Sequence, residues 1–173
     1  MKKSFVLFVS VVLTFLFVSC QSKSKADILG KWETNLTLKS ELSGNEGDGS
    51  SVGFLYSKQK ITLAFSEGGV YTKSVIQTVE KAEFPGHEDE EAFAKEYFSQ
   101  FFNKDLTFDG EYQQKDNSLF MTVDFVQEKD GERLSYSEFF KKDPSIGDEE
   151  YSCVYQVKDG FLFVDGIKYS KID

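Results

Sequence analysis

Between Trp32 and Lys39 bulky and polar side chains take turns: Trp32, Thr34, Leu36 and Leu38 fall on one side, Glu33, Asn35, Thr37 and Lys39 on the other. A period of two belongs to a β-strand with one buried face, and its recurrence constrains the whole chain. Ile61, Leu63 and Phe65 repeat it before a turn at Glu67-Gly68-Gly69, and Val70 to Val79 returns with Tyr71, Val75 and Ile76 as bulky members. Leu106, Phe108 and Tyr112 form a strand that turns at Asp116-Asn117, and Leu119, Met121, Val123 and Phe125 form the inner face of the next. Leu134 and Tyr136 mark a weaker strand ending before Pro144; Tyr151, Cys153, Tyr155 and Val157 alternate again. Asp159-Gly160 suits a two-residue hairpin, which requires positive φ, and leads into Phe161 to Asp165 and Ile167 to Tyr169. About eight short strands joined by local turns predict an antiparallel meander. Closing such a sheet removes its exposed edges. The expected fold is therefore mostly β, a roughly eight-stranded antiparallel barrel, with a β-sandwich as the alternative.

One segment breaks the period. Glu88 to Phe102 contains no Gly or Pro, places Phe93, Tyr97 and Phe101 four apart with Ala94 and Phe98 beside them, and opens on Glu88, Asp89, Glu90 and Glu91. Carboxylates in a first turn complement the helix dipole, so this is one amphipathic helix inserted between strands. Two placements stay open: against the outer wall, or over the barrel mouth as a lid. In the second, Phe93, Tyr97, Phe98 and Phe101 are the candidate ligand-binding residues. Small eight-stranded barrels either fill with side chains or hold one small ligand.

The first twenty residues are of another kind. Met1-Lys2-Lys3 is basic, Phe5 to Val18 is apolar apart from Ser10 and Thr14, and the run stops at Cys20 before the polar "QSKSK". This is the pattern of a secretory signal, shorter than the ~20 residues a membrane span needs. Leu16-Phe17-Val18-Ser19-Cys20 resembles the lipobox of bacterial lipoproteins, with Phe17 and Val18 departing from the commonest version. The resemblance implies that residues 1–19 are removed and that Cys20 carries acyl chains such as palmitate on its sulfur and amine. It implies a protein anchored to a bacterial membrane, at the periplasmic face or the cell surface. Several acyl chains anchor stably, because each buried CH2 contributes about 0.8 kcal/mol. Residues 20–27 then form a lipidated tether, of which the seven residues Gln21 to Asp27 reach roughly 25 Å at about 3.5 Å each. Residues 28–173 form the folded domain.

The formal charge is −9, and removing Lys2 and Lys3 with the leader leaves −11. An acidic surface repels nucleic acid and anionic lipid alike. With Cys20 acylated, Cys153 is the one remaining cysteine and has no partner for an intramolecular disulfide; its alternating apolar register makes it a small core residue. The single histidine, His87, sits in "PGHEDEE", where it reads as part of a helix-start loop rather than a metal ligand or general base. The loop "GNEGDGS" lacks the ligand spacing of an EF-hand. The expectation is a protein that is not an enzyme and uses no metal or cofactor.

Ile28-Leu29-Gly30-Lys31-Trp32 resembles the Gly-x-Trp opening of lipocalin-like domains, and "FSEGGVY", "GEYQQKDNSLFMTV" and "YQVKDGFLFVDGIKYSK" resemble later hairpins of bacterial lipocalin-like lipoproteins. The resemblance implies that Gly30 lets the chain turn into the barrel and that Trp32 plugs its closed end. An arginine stacked on that Trp is missing; the chain's one Arg is Arg133, and Lys168 or Lys171 are the candidates to replace it. The resemblance implies a binding module for a small apolar or amphiphilic molecule. A protein-interaction module of the cell envelope or surface is the alternative, since a fold does not specify a function.

A Cys20→Ser variant is expected to accumulate as unprocessed precursor without acyl mass in mass spectrometry. Processing and membrane fractionation like the parent's would refute the lipobox assignment.

Overall fold

The computed structural model describes residues 27–43 and 51–172. The expected signal segment, Cys20, the expected tether up to residue 26 and the acidic Gly-rich loop 44–50 lie outside the described residues. Nine strands form one antiparallel sheet: β1 (Gly30–Ser43), β2 (Ser51–Ser66), β3 (Val70–Glu83), β4 (Lys104–Lys115), β5 (Ser118–Glu128), β6 (Arg133–Ser135), β7 (Glu150–Lys158), β8 (Phe161–Val164) and β9 (Ile167–Ile172). Eight of them follow one another around a ring, β1-β2-β3-β4-β5-β7-β8-β9, which β9 closes by pairing with β1. The sheet is thus an eight-stranded up-and-down barrel, and closure rules out the sandwich. Short β6 stands outside the ring. The free edge of β5 is divided, Ser118–Thr122 pairing with β7 and Phe125–Gln127 with β6.

Turn chemistry accounts for the tight corners. Asp159-Gly160 and Asp165-Gly166 both have positive φ at both residues, the form that matches strand twist in a two-residue hairpin. Gly110 marks the tightest contact between strands: a Cβ there would lie 1.8 Å from the Thr122 carbonyl oxygen. The neighbouring bulge, where Asp109 pairs with Phe125 and Gly110 with Val123, leaves Asp124 as an extra residue.

The segment expected as one helix begins as a 3-10 turn, Glu88–Glu90, and continues as α1, Glu91–Phe102. A second helix, α2 (Tyr136–Lys142), occupies the place where Tyr136 was expected in a strand; only Arg133–Ser135 is extended. The reason is a capping box. Ser135 Oγ and its backbone N–H both donate to the Glu138 carboxylate, at 2.6 and 3.1 Å, so Ser135 starts a helix instead of continuing the strand.

At the closed end Trp32 is 2% exposed, and its indole N–H donates to the Ile28 carbonyl at 2.7 Å. Of the two candidate lysines it is Lys171, cross-strand from Trp32, that brings its ammonium to the ring, 5.4 Å from its centre. Lys168 instead lies over Phe161, at 3.4 Å. Phe65, Leu63, Tyr71, Leu119 and Leu162 share this core. The ring strands and the three hydrophobic clusters all lie within residues 28–172.

A Trp32→Ala variant is expected to lose about 3–5 kcal/mol, as large buried aromatics do on truncation. A melting temperature equal to the parent's would refute its role as the plug.

A candidate binding site inside the barrel

Each inward-facing position is defined by cross-strand register, because paired residues point to the same face. The inner face of β2 runs Phe65, Leu63, Ile61, Gln59, Ser57, Leu55 from the closed end to the mouth. The side chains at the closed end are fully buried. Midway up they are not: Leu36, Lys73, Val75, Phe108, Tyr151 and Val164 all face inward and are only half-buried. A water-sized sphere touches each of them, so this level is less completely packed than the one below.

Above it, both helices lie on inward faces. β1, β2 and β3 are the longest strands, and β3 pairs with β4 only as far as Gln77. The remainder forms a shelf whose inner face carries Leu55, Val79 and Ala82. Ala94 and Phe98 of α1 pack on that face, and the Asn103 side chain accepts a hydrogen bond from the Val79 N–H at 2.8 Å. On the opposite side, Phe139 of α2 is 1% exposed and packs on the inward-facing Leu106, Val123 and Val126. Polar contacts line the rim between them. Gln59 donates to Gln77 at 3.2 Å, and Lys104 meets Asp143, just beyond α2, at 2.7 Å. Lys104, with Ser145, holds the Asp143 carboxyl down at about 2.

α1 divides the four candidate ligand residues. Phe98 faces the barrel, half-buried. Phe93, Tyr97 and Phe101 are on the other side, 73%, 48% and 57% exposed. Their rings do share one space, with centres 6.4 and 5.1 Å apart along the stripe, but that space is outside the barrel. The angular spread of the helix decides this: Ala94, being small, lets the backbone approach the shelf and turns the i, i+4, i+8 aromatic stripe outward.

The half-filled level holds a group the sequence reading did not single out. Lys73 sits one pair along β3 from Tyr71, on the inner face, cross-strand from Phe108 and Leu63. Its ammonium lies 5.8 Å from the Phe108 ring centre and 5.7 Å from that of Tyr151. Among the described residues no carboxylate forms an ion pair with it and no acceptor hydrogen-bonds it. Burial lowers the amine from its usual range, and Cys153 opposes this weakly. The Tyr71 hydroxyl, beside Tyr151, is fully buried with no well-formed hydrogen bond of its own. Burial raises its pKa, and its hydrogen-bonding proximity to the Tyr151 hydroxyl opposes this to a smaller extent. The period-two pattern does contain a signal for this site. Lys73 occupies an inward register position between Tyr71 and Val75, where a charged residue is out of place.

A surface cleft lies elsewhere among the described residues. It has a volume of about 440 Å3 on the outer wall of β4, β5 and β7, where Glu111, Gln113, Phe120, Thr122, Glu150 and Ser152 point outward. His87 is exposed, with Nδ1 3.8 Å from Glu90. Among the described residues no three His, Cys, Asp or Glu side chains gather as a metal site requires. No protein-family model matches the chain, and no curated protein matches it.

Burial pushes the Cys153 thiol up to about 11 from its usual 9.0, with Asp165 adding to it, and Tyr169 up to about 12 from 10.0. Tyr71 and Tyr151 are raised too, mainly by burial. The folded chain keeps these protons where the unfolded chain releases them, so stability present below pH 9 is expected to fall as pH rises from 9 to 12. Lys73 contributes the opposite slope below 10.5, its usual value, so the fall is steepest in Lys73→Met. Urea unfolding at about pH 8, 9.5 and 11 measures it; a flat profile in that variant would contradict the buried, neutral state of these groups.

Proposed function

We propose that this protein is an exported lipoprotein, held to a membrane by acyl chains on Cys20, whose lipocalin-like barrel binds a small amphiphilic molecule. The ligand occupies the level between the packed closed end and the two mouth helices. The observation that carries this reading is the half-burial of inward-facing Leu36, Val75, Phe108 and Val164, directly above a fully buried layer. A barrel that served only as a scaffold gains by packing that level, because unfilled interior forfeits dispersion contacts. α1 acts as the cover, with Phe98 as its ligand-facing ring. None of its side chains is fully buried, so the apolar surface that lifting it uncovers is chiefly the shelf of Leu55, Val79 and Ala82.

A second reading has its own support. Phe93, Tyr97 and Phe101 form a contiguous aromatic stripe in solvent, and aromatic side chains are enriched where proteins dock. In that case the protein is an interaction module of the envelope or surface, and the stripe is its contact.

Titration of a soluble chain starting at Gln21 with the neutral dye N-phenylnaphthylamine separates the two. The carrier reading expects saturable fluorescence that Val75→Trp, which fills the interior, weakens about tenfold or more (1.4 kcal/mol per decade). It expects the Phe93→Ser/Tyr97→Ser/Phe101→Ser variant to bind as the parent does. Binding that survives Val75→Trp and disappears in the triple variant would transfer the site to the stripe and favour the interaction module.

A further inference from the structure

The half-filled level presents charge as well as space. Tyr71 and Lys73 are two residues apart on one face of β3, about 6.6 Å along the strand. Tyr151 and Cys153 stand two apart on the inner face of β7. The pairs converge: the Lys73 ammonium lies 5.7 Å from the Tyr151 ring, and the Tyr71 and Tyr151 hydroxyls are neighbours. Three features of this group are unusual together. Lys73 is held inside without a carboxylate among the described residues. Tyr71 is 1% exposed, and its hydroxyl has the Tyr151 hydroxyl as a neighbour but makes no hydrogen bond of good geometry. Lys73 itself is only half-buried, so the space beside it is open to a small group.

A cation and an O–H donor left unsatisfied in a protein interior each cost free energy. Among the described residues no other group meets that need. Asp109, the nearest acid in sequence pairing, points outward, where it accepts from Thr72 at 2.8 Å and from Arg133 at 3.1 Å. Asp124 is the exposed bulge residue. Asp165 accepts from the Val154 N–H of β7 at 2.8 Å. What remains unsupplied is one negative charge with acceptor lone pairs.

We propose that Lys73 and the Tyr71 hydroxyl, with Tyr151 beside them, form an anion subsite that binds the oxyanion head group of the amphiphile. The inference rests on the carrier reading above and adds the chemical class of the ligand: a single-headed, monoanionic amphiphile, with a carboxylate as its simplest case. The head sits toward Lys73, and the tail lies against Leu36, Val75 and Val164 toward α1. A single lysine with a hydroxyl donor matches one charge; a head group with two charges leaves one unpaired inside.

The test uses the full acylated chain in uncharged phosphatidylcholine nanodiscs, with empty nanodiscs subtracted, titrated calorimetrically with octanoate and octan-1-ol. The subsite predicts that octanoate binds about 10–100-fold more tightly than the alcohol, the ratio a charge-assisted hydrogen bond supplies. Lys73→Met should bring the two affinities together by weakening octanoate alone, and Tyr71→Phe should narrow the gap in part. Lys73→Met should melt no lower than the parent, since it removes an unpaired charge, and this keeps loss of fold from imitating loss of the site. Equal affinity for acid and alcohol in the parent would overturn the anion subsite and leave the carrier reading standing. An octanoate preference unchanged in Lys73→Met would overturn the assignment to this lysine. Saturable binding of neither probe would overturn both the subsite and the carrier reading.

Discussion

Three residue pairs between β1 and β9, Lys31 with Ile172, Trp32 with Lys171 and Glu33 with Ser170, hold the barrel shut. Every inward side chain depends on that seam. Without it β1 and β9 are open edges, and the Trp32 layer loses its far wall. The seam is reinforced from inside. Trp32 packs across it, its N–H is satisfied by Ile28 on the chain's way in, and the Lys171 stem and ammonium cover the outer end of the ring. Backbone closure and plug therefore stabilise one another: the ladder positions the ring, and the ring keeps water from the ladder.

The short seam also shapes the mouth. β1, β2 and β3 run for 14, 16 and 14 residues, whereas β8 and β9 have 4 and 6. Strands of such unequal length cannot close along their full extent, and the excess becomes a shelf of Leu55, Val79 and Ala82 with its inner face uncovered. α1 covers it. On the other side β7 leaves the upper part of β5 unpaired, and β6 with α2 takes that place. Both mouth helices thus answer the same geometric requirement, that inward apolar surface beyond the closed ring needs a partner. α2 shares a cluster with Phe108 and Tyr151 of the Lys73 level, and Lys73 itself stays half-buried between mouth and plug.

The interior is divided by chemistry along its axis. Aromatic and aliphatic side chains fill the closed end, a lysine with tyrosine hydroxyls and a thiol occupies the middle, and amides with the Lys104–Asp143 pair line the rim. Such grading suits a molecule with two chemically different ends better than a uniformly apolar one, and the proposed head-group position at Lys73 follows from it.

Period-two alternation and the Asp159-Gly160 turn are local properties, and they made most strands and the closed meander legible in the sequence alone. Gly30-x-Trp32 likewise pointed to the plug. Helix α2 was also written locally, in Ser135 and Glu138, but the apolar Leu134 and Tyr136 masked the capping box. What local pattern could not decide was direction in space. Phe93, Tyr97 and Phe101 have the same helical spacing whether they face a cavity or solvent; the shelf offered by β1–β3, and the small Ala94 that fits it, decided that Phe98 turns inward and the stripe outward. The choice of Lys171 over Lys168 beside Trp32 depends on register across the β1–β9 seam. The gathering of Tyr71 and Lys73 with Tyr151 and Cys153 joins residues nearly eighty positions apart. Sequence determines which residues alternate; only closure of the sheet determines which of them meet.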